Sequence, residues 1–245
     1  MYNGKKIITS FILVLGLALT GSAQTFEVVG SDTINRTDSK GLKQGLWKTF
    51  YQNKRVKWEG EYKNGHRTGL FKMYYESGKL ETEANYYDDG KKCAVHVLFE
   101  INGKMKAKGT YVDQKKDSLW MFFYPTDTVS SIGSYTMGKQ HGSWKEYFSN
   151  GKLLQESVWD RGKTSGPWKQ YYENGQVKIE GYMVAGNFIG RTKFFNPDGS
   201  LISYGNYKEG LQDSTWNYFD TRGVLIRVDE YSNGKLLHSE EKNKK

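Results

Sequence analysis

Apolar and polar residues alternate with period two along most of this chain, and the alternation is interrupted at short intervals by Gly, Asn, Asp and Ser. That pattern predicts half-buried β-strands joined by tight turns. A longer period runs through it. Trp47, Phe71, His96, Trp120, Trp144, Trp168, Thr192 and Trp216 follow one another at 24 residues, with a single interval of 25 between Phe71 and His96. Three residues after each stands a second ring, Phe50, Tyr74, Phe99, Phe123, Tyr147, Tyr171, Phe195 or Phe219. A fixed period of this length means one small supersecondary unit stacked many times, each copy burying its apolar face against its neighbours.

Within a unit, Asn-Gly or Ser-Gly recurs seven residues after the Trp column, as in Asn150-Gly151 and Asn174-Gly175. Between two β-rich runs this dipeptide predicts a hairpin closed by a two-residue type I′ turn. The Trp column then faces the residue thirteen later, which is small nearly throughout: Gly60, Ala84, Gly109, Gly133, Ser157, Gly181, Gly205 and Asp229. A large ring lying across its cross-strand partner would shield a glycine there. The same register sets Lys48 opposite Glu59, Lys72 opposite Glu83, Lys145 opposite Glu156 and Lys169 opposite Glu180. Alternation assigns the Trp column, Tyr51 and its equivalents, the aliphatic column from Val56 to Leu225, and the Tyr62 column to one apolar face. The Lys–Glu pairs and the second ring column fall on the other. The expected fold is all-β: an elongated meander of about eight stacked hairpins over residues 41–234, forming one long twisted antiparallel sheet. An extra residue near Ala84 to Tyr87 accounts for the single long interval.

The ends depart from the pattern. Lys5 and Lys6, an apolar run from Ile7 to Leu19 and Gly21-Ser22-Ala23 make residues 1–23 a secretory signal peptide, too short for a membrane span. Export to the periplasm, the cell envelope or the medium is expected. Residues 24–40 read as a cap, with the Phe26-Glu27-Val28-Val29 run supplying a strand that covers the first hairpin. Residues 235–245 read as a frayed, charged tail. Without Lys5 and Lys6, 34 basic residues stand against 27 acidic ones, a net charge of +7 that points only weakly to an anionic partner. Cys93 is the sole cysteine, so there is no intramolecular disulfide and no cysteine-based zinc site.

Units of the form G-x-W-x-x-Y-Y-x-N-G-K followed by E-G-x-Y-x-x-G, as in GSWKEYFSNGKLLQESVWDRG and GPWKQYYENGQVKIEGYMVAG, resemble the bacterial variant of the MORN repeat. The resemblance covers nearly the whole chain after the leader. It weakens around Cys93 to His96, Tyr124 to Thr128, and Thr192. It implies a repeat scaffold for binding, in the manner of YwqK-type antitoxin-like proteins, with lipid recognition and scaffolding among eukaryotic relatives. Export argues against the antitoxin role, because such an inhibitor meets its toxin in the cytoplasm. No catalytic residue transfers with the repeat.

Chemistry is sparse. His66, His96, His141 and His238 lack metal-binding spacing, and Ser149-x-x-Lys152 is the repeat's own turn. Asn35-Arg36-Thr37 is a glycosylation sequon by pattern alone. Glutamates held opposite lysines in solvent are poor general acids. No enzyme activity, cofactor, metal or nucleic-acid partner is expected. The candidate partner-binding residues are the second rings, Phe50 through Phe219. The candidate anion contacts are Lys48, Lys72, Lys145, Lys169 and Lys193, facing anionic lipid or glycan. A protein partner, or a second copy of the chain, is the expected occupant of an apolar sheet face.

Overall fold

A computed structural model describes residues 24–87, 89–90 and 92–242; the leader assigned to residues 1–23 lies outside them. The described residues form strands and turns and contain no helix. They fall into two compact units, one ending at Lys104 and one beginning at Met105.

The first unit opens with a separate hairpin of β1 (Glu27–Val29) and β2 (Asp32–Ile34). A meander follows: β3 (Arg36–Thr37), β4 (Lys43–Phe50), β5 (Val56–Lys63), β6 (His66–Tyr74), β7 (Leu80–Tyr87) and β8 (Lys92–Phe99), each antiparallel to the next. The second unit is a meander of twelve strands. They are β9 (Met105–Val112), β10 (Lys115–Phe123), β11 (Val129–Thr136), β12 (Lys139–Tyr147), β13 (Leu153–Asp160), β14 (Lys163–Tyr171), β15 (Val177–Val184), β16 (Asn187–Phe195), β17 (Leu201–Lys208), β18 (Leu211–Phe219), β19 (Leu225–Ser232) and β20 (Lys235–Glu241). The strands expected from the repeat are β4 to β19.

The expected hairpin register is present: Trp47 pairs with Gly60, Trp120 with Gly133, Trp144 with Ser157 and Trp168 with Gly181. The turn chemistry differs from expectation. At Asn150-Gly151, Phe148 N–H donates to the Lys152 carbonyl and Gly151 N–H to the Phe148 carbonyl, and Gly151 alone has positive φ, 81°. This is a three-residue loop with glycine in the left-handed position, accompanied by a register shift between Glu146 and Tyr147. Asn150 Oδ1 accepts the Lys152 N–H at 3.0 Å, which explains the asparagine without a type I′ turn. Turns with positive φ at both positions lie instead between the hairpins, as at Met137 (48°) and Gly138 (85°). The long interval is also resolved there. Tyr87 pairs with Lys92 across four residues, where Lys63 pairs with His66 across two, and the smaller register slip between β7 and β8 takes back one of the two added residues.

The direction of the Trp rings corrects the sequence reading. Gly133 pairs with both Trp120 and Trp144, but a Cβ built on it would lie 2.2 Å from the Trp144 ring. Each ring thus leans back over the small residue of the preceding hairpin; Trp120 covers Gly109 and Trp216 covers Gly205 in the same way. A bulge makes the lean possible. On β12, Gly142 has φ 73°, and the pairing with β11 jumps from Gly133–Trp144 to Ser134–His141. The Trp144 Nε1–H then donates to the Ser134 carbonyl at 3.1 Å, as Trp120 does to Thr110 and Trp216 to Asn206. Trp120 is fully buried, with Tyr111 edge-on at 5.0 Å and Phe122 stacked at 5.9 Å.

Thr192 interrupts this column of rings at one of the places where the resemblance weakens. In the structure the vacancy is filled by Phe188, whose ring packs against Gly181 and meets Trp168 edge-on at 5.3 Å. Thr192 is fully buried and its Oγ1 has no hydrogen-bond partner among the described residues. Thr192→Val should therefore stabilise the protein by about 1 kcal/mol, because it removes an unsatisfied hydroxyl at nearly constant volume. The check is an upward shift of the urea midpoint at unchanged m value.

Both ends also differ from expectation. The strand that pairs with the first hairpin is β3, whereas Phe26 to Val29 are exposed and belong to or precede the β1–β2 hairpin. Residues 235–241 are not frayed. Asn233-Gly234 turns the chain back, and β20 pairs with β19 from Ser232–Lys235 onward. Asp229 takes the small position here, where no further Trp follows to cover it. The residue is 2% exposed, and its carboxylate accepts from Ser239 Oγ at 2.6 Å and meets Arg227 at 3.3 Å.

Candidate functional site

The face opposite the Trp column is built from charged rungs. In the first unit Lys48, Glu59, Lys72 and Glu83 are directly opposed on successive strands β4 to β7. In the second, Lys145, Glu156, Lys169, Glu180 and Lys193 run across β12 to β16. All four expected ion pairs form: Lys48–Glu59 at 3.3 Å, Lys72–Glu83 at 3.7 Å, Lys145–Glu156 at 3.1 Å and Lys169–Glu180 at 2.9 Å. Lys193 reaches Glu180 at 4.0 Å. The five lysines singled out in the sequence are thus partly neutralised within the sheet. Each exposed pair contributes roughly 0.2 to 1 kcal/mol, so the ladder specifies register more than it stabilises.

The second ring column borders this ladder. Phe50 pairs with Val56, Tyr147 with Leu153 and Tyr171 with Val177, and directly opposed residues share a face. The aliphatic column therefore accompanies the second rings, and its assignment to the Trp face is corrected. Phe50 is 41% exposed, while Tyr74, Phe99, Phe123, Tyr147, Tyr171, Phe195 and Phe219 are half-buried. Tyr74 donates to Glu59 and Tyr171 to Glu156, both at 2.8 Å. Burial and the adjacent carboxylate push both phenols up to about 12. The Glu156 carboxyl is held below its ordinary value, first by the Tyr171 hydrogen bond and then by Lys145 and Lys169.

A carboxyl depressed in the folded state contributes stability that is present above its unfolded pKa and lost as pH falls through the folded one. Tyr171→Phe should raise the Glu156 pKa toward its ordinary 4.5 and narrow that acid window. A carbon-detected NMR titration of the Glu156 carboxyl measures it. The phenols act in the opposite direction: stability falls as pH rises from about 10 toward 12, where the unfolded chain ionises first.

The ladder lapses in several hairpins: β16–β17 sets Lys193 opposite Tyr204 and β18–β19 sets Asn217 opposite Val228, and in β10–β11 both rung residues are apolar. On β10–β11 the rung is Met121 opposite Ile132, with neither lysine nor glutamate. Leu119, two residues before Met121 on the same strand, is 53% exposed, and Phe123 pairs with Val129 at the turn end. An apolar patch of Leu119, Met121, Phe123, Val129 and Ile132 thus interrupts a charged surface. Lys108, opposite Met121, borders it on one side and Lys145, opposite Ile132, on the other. Lys108 Nζ stands 5.9 Å from the Phe123 ring. Of these residues the sequence reading singled out Phe123 and Lys145 alone. The available signal was an apolar residue at both rung positions of this unit, which an emphasis on recurring positions passes over.

Beside the Lys–Glu rungs lie shallow grooves of about 200 Å³, between Ser143, Val158 and Pro167, and about 340 Å³, between Leu46 and Leu70. Among the described residues no group of three or more His, Cys, Asp or Glu is placed to hold a metal ion. His96 occupies its Trp slot half-buried, and burial, with a further contribution from Arg67, pushes its pKa down.

The family model for the MORN repeat variant matches residues 67–89, 140–160, 165–185 and 189–209. These segments correspond to β6–β7, β12–β13, β14–β15 and β16–β17; the hairpin with the apolar rung lies outside them. No curated protein matches the chain. The crystal structure of TcdB2-TccC3 aligns at 11% identity over 87% of this chain and 13% of that one, with a TM-score of 0.22. That of TcdB2-TccC3-TEV aligns at 11% identity over 81% and 13%, with a TM-score of 0.15. The chain thus spans about 13% of the length of either structure, and the overlap is too loose to define a shared fold.

Proposed function

The chain belongs to the MORN-variant repeat family, a repeat module for binding or scaffolding, and on that premise we propose that it is an exported, non-enzymatic protein whose ladder face docks a protein partner. The observation that carries this reading is the Met121–Ile132 rung. An apolar centre with a charged rim is the anatomy of a protein interface, in which buried aliphatic and aromatic side chains supply affinity and the rim supplies orientation. Anionic lipid and glycan are less well matched. The lysines of the ladder stand opposite glutamates, and equivalent lysines two strands apart are about 10 Å from one another, near the Debye length at physiological salt.

The test restores the repeat. Met121→Lys combined with Ile132→Glu writes into β10–β11 the pair that β4–β5, β6–β7, β12–β13 and β14–β15 carry, so register and fold are preserved. A partner captured from the native envelope fraction by the parent protein should be lost with this double variant and weakened with Phe123→Ser. Equal capture by parent and double variant would move the interface elsewhere. Retention on anionic liposomes that vanishes with added salt would favour lipid instead.

A further inference from the structure

On the Trp face several hairpins cover their rings with a cation of their own, placed four residues before the Trp column. Lys43 Nζ lies 4.3 Å from the Trp47 ring centre and 4.9 Å from that of Tyr62. The Arg67 guanidinium lies 5.5 Å from Phe71 and 5.2 Å from Tyr86. Lys116 Nζ is held by three rings, Trp120 at 4.5 Å, Phe122 at 4.6 Å and Tyr135 at 5.1 Å. The face of an aromatic ring attracts a cation, and three rings around one ammonium form a cage. Burial there lowers the Lys116 pKa, a sign of how closely the rings enclose it.

The next hairpin, β12–β13, keeps the cage and omits the cation. Trp144 takes the place of Trp120 and Trp159 that of Tyr135; their ring centres are 6.3 Å apart and tilted by 60°. The residue in the lysine's place is Gln140, whose side chain makes no hydrogen bond among the described residues and can swing aside. Where the preceding hairpin has Phe122, this one has Glu146. Two residues from Trp144 on an uninterrupted stretch of β12, Glu146 shares the Trp face. The residue is half-buried and has no ion pair among the described residues. The location that Lys116 Nζ occupies in one hairpin therefore lies, in the next, above an indole and between a second indole and a carboxylate.

We propose that Trp144, Trp159 and Glu146 form a binding site for an alkylammonium group, supplied either by a lysine side chain of a partner or by a free quaternary amine. Trp144, 3% exposed, offers its indole face once Gln140 swings aside, the half-buried Trp159 supplies the second ring, Glu146 supplies the counter-charge, and Lys116 shows what kind of group such a cage holds. This site lies on the face opposite the apolar patch and stands or falls independently of it.

The experiment follows the indole N–H resonances of the full ¹⁵N-labelled chain during titration with n-butylammonium chloride, against sodium chloride and n-butanol as controls. The Trp144 and Trp159 signals should shift saturably with butylammonium alone, while Trp120, whose cage is already filled, stays put. Glu146→Gln should weaken binding about fivefold, the upper range for a partly exposed charge pair. Gln140→Lys, which copies the Lys116 hairpin and so retains the fold, should abolish the saturable shift. Tetramethylammonium as the tighter ligand would identify a free quaternary amine as the source, and butylammonium as the tighter one a lysine side chain. Absent shifts, or the same affinity in both variants as in the parent, would overturn the proposal.

Discussion

Trp120→Ala should lower the stability of the second unit by about 3 to 5 kcal/mol, the range for removing a large aromatic side chain from a closed core. The ring is fully buried, so the cavity left behind cannot fill with solvent without exposing Tyr111, Phe122 and Tyr135. Two further losses add to the transfer term. The Thr110 carbonyl loses its indole donor, and Lys116 loses one of the three rings that hold its ammonium. Chemical denaturation followed by tryptophan fluorescence measures the total. Hydrogen exchange should confine the loosened amides to β9 through β12, because a repeat contacts chiefly its neighbours. Trp168→Ala should cost less. Trp168 is only half-buried and rests on Ser157, which carries its own side chain.

The second large effect comes from the smallest side chain. Gly133→Ala should destabilise by about 1 to 3 kcal/mol, because its Cβ would stand 2.2 Å from the Trp144 ring and force it off the sheet. Which tryptophan is responsible can be decided by a double-mutant cycle. In a Trp144→Ala background the added methyl should be nearly free, giving a coupling energy of about 1 to 2 kcal/mol. In a Trp120→Ala background the cost should persist. The opposite pattern would mean that the ring lies across its partner within the same hairpin.

That cycle separates two readings that the sequence leaves equivalent. Gly133 is thirteen residues after Trp120 and eleven before Trp144, and it pairs with both. Cross-strand register follows from sequence offsets, so it was legible. The lean of the ring depends on the Gly142 bulge, which lifts β12 and lets the indole reach the Ser134 carbonyl. An alternation of polar and apolar residues does not encode a bulge.

The turns show the same division. Their positions were evident from Asn, Asp and Gly, yet their types were exchanged: the one-glycine loops close the hairpins, and the turns with two positive φ values join them. Met137 and Arg161 occupy left-handed positions without the residue types that advertise such turns. In the candidate interaction surface, the Lys–Glu ladder could be read from recurrence. The Met121–Ile132 rung, visible only as a departure from recurrence, acquired meaning once Leu119 proved exposed beside it.

Periodicity alone thus determined that strands β4 to β19 exist, how each hairpin pairs and which side chains form the ladder. A period-two strand has only two faces, and a fixed offset between columns admits one register. The tertiary structure decided what depends on a neighbouring hairpin. Phe188 fills the space left at Thr192, and Asp229 finds Ser239 and Arg227 where no further tryptophan follows. Residues 235–241 add a final strand instead of fraying, because Asn233-Gly234 returns them to β19. Each of these outcomes is set by close packing between repeats, and a single repeat read in isolation contains no record of the surface it will meet.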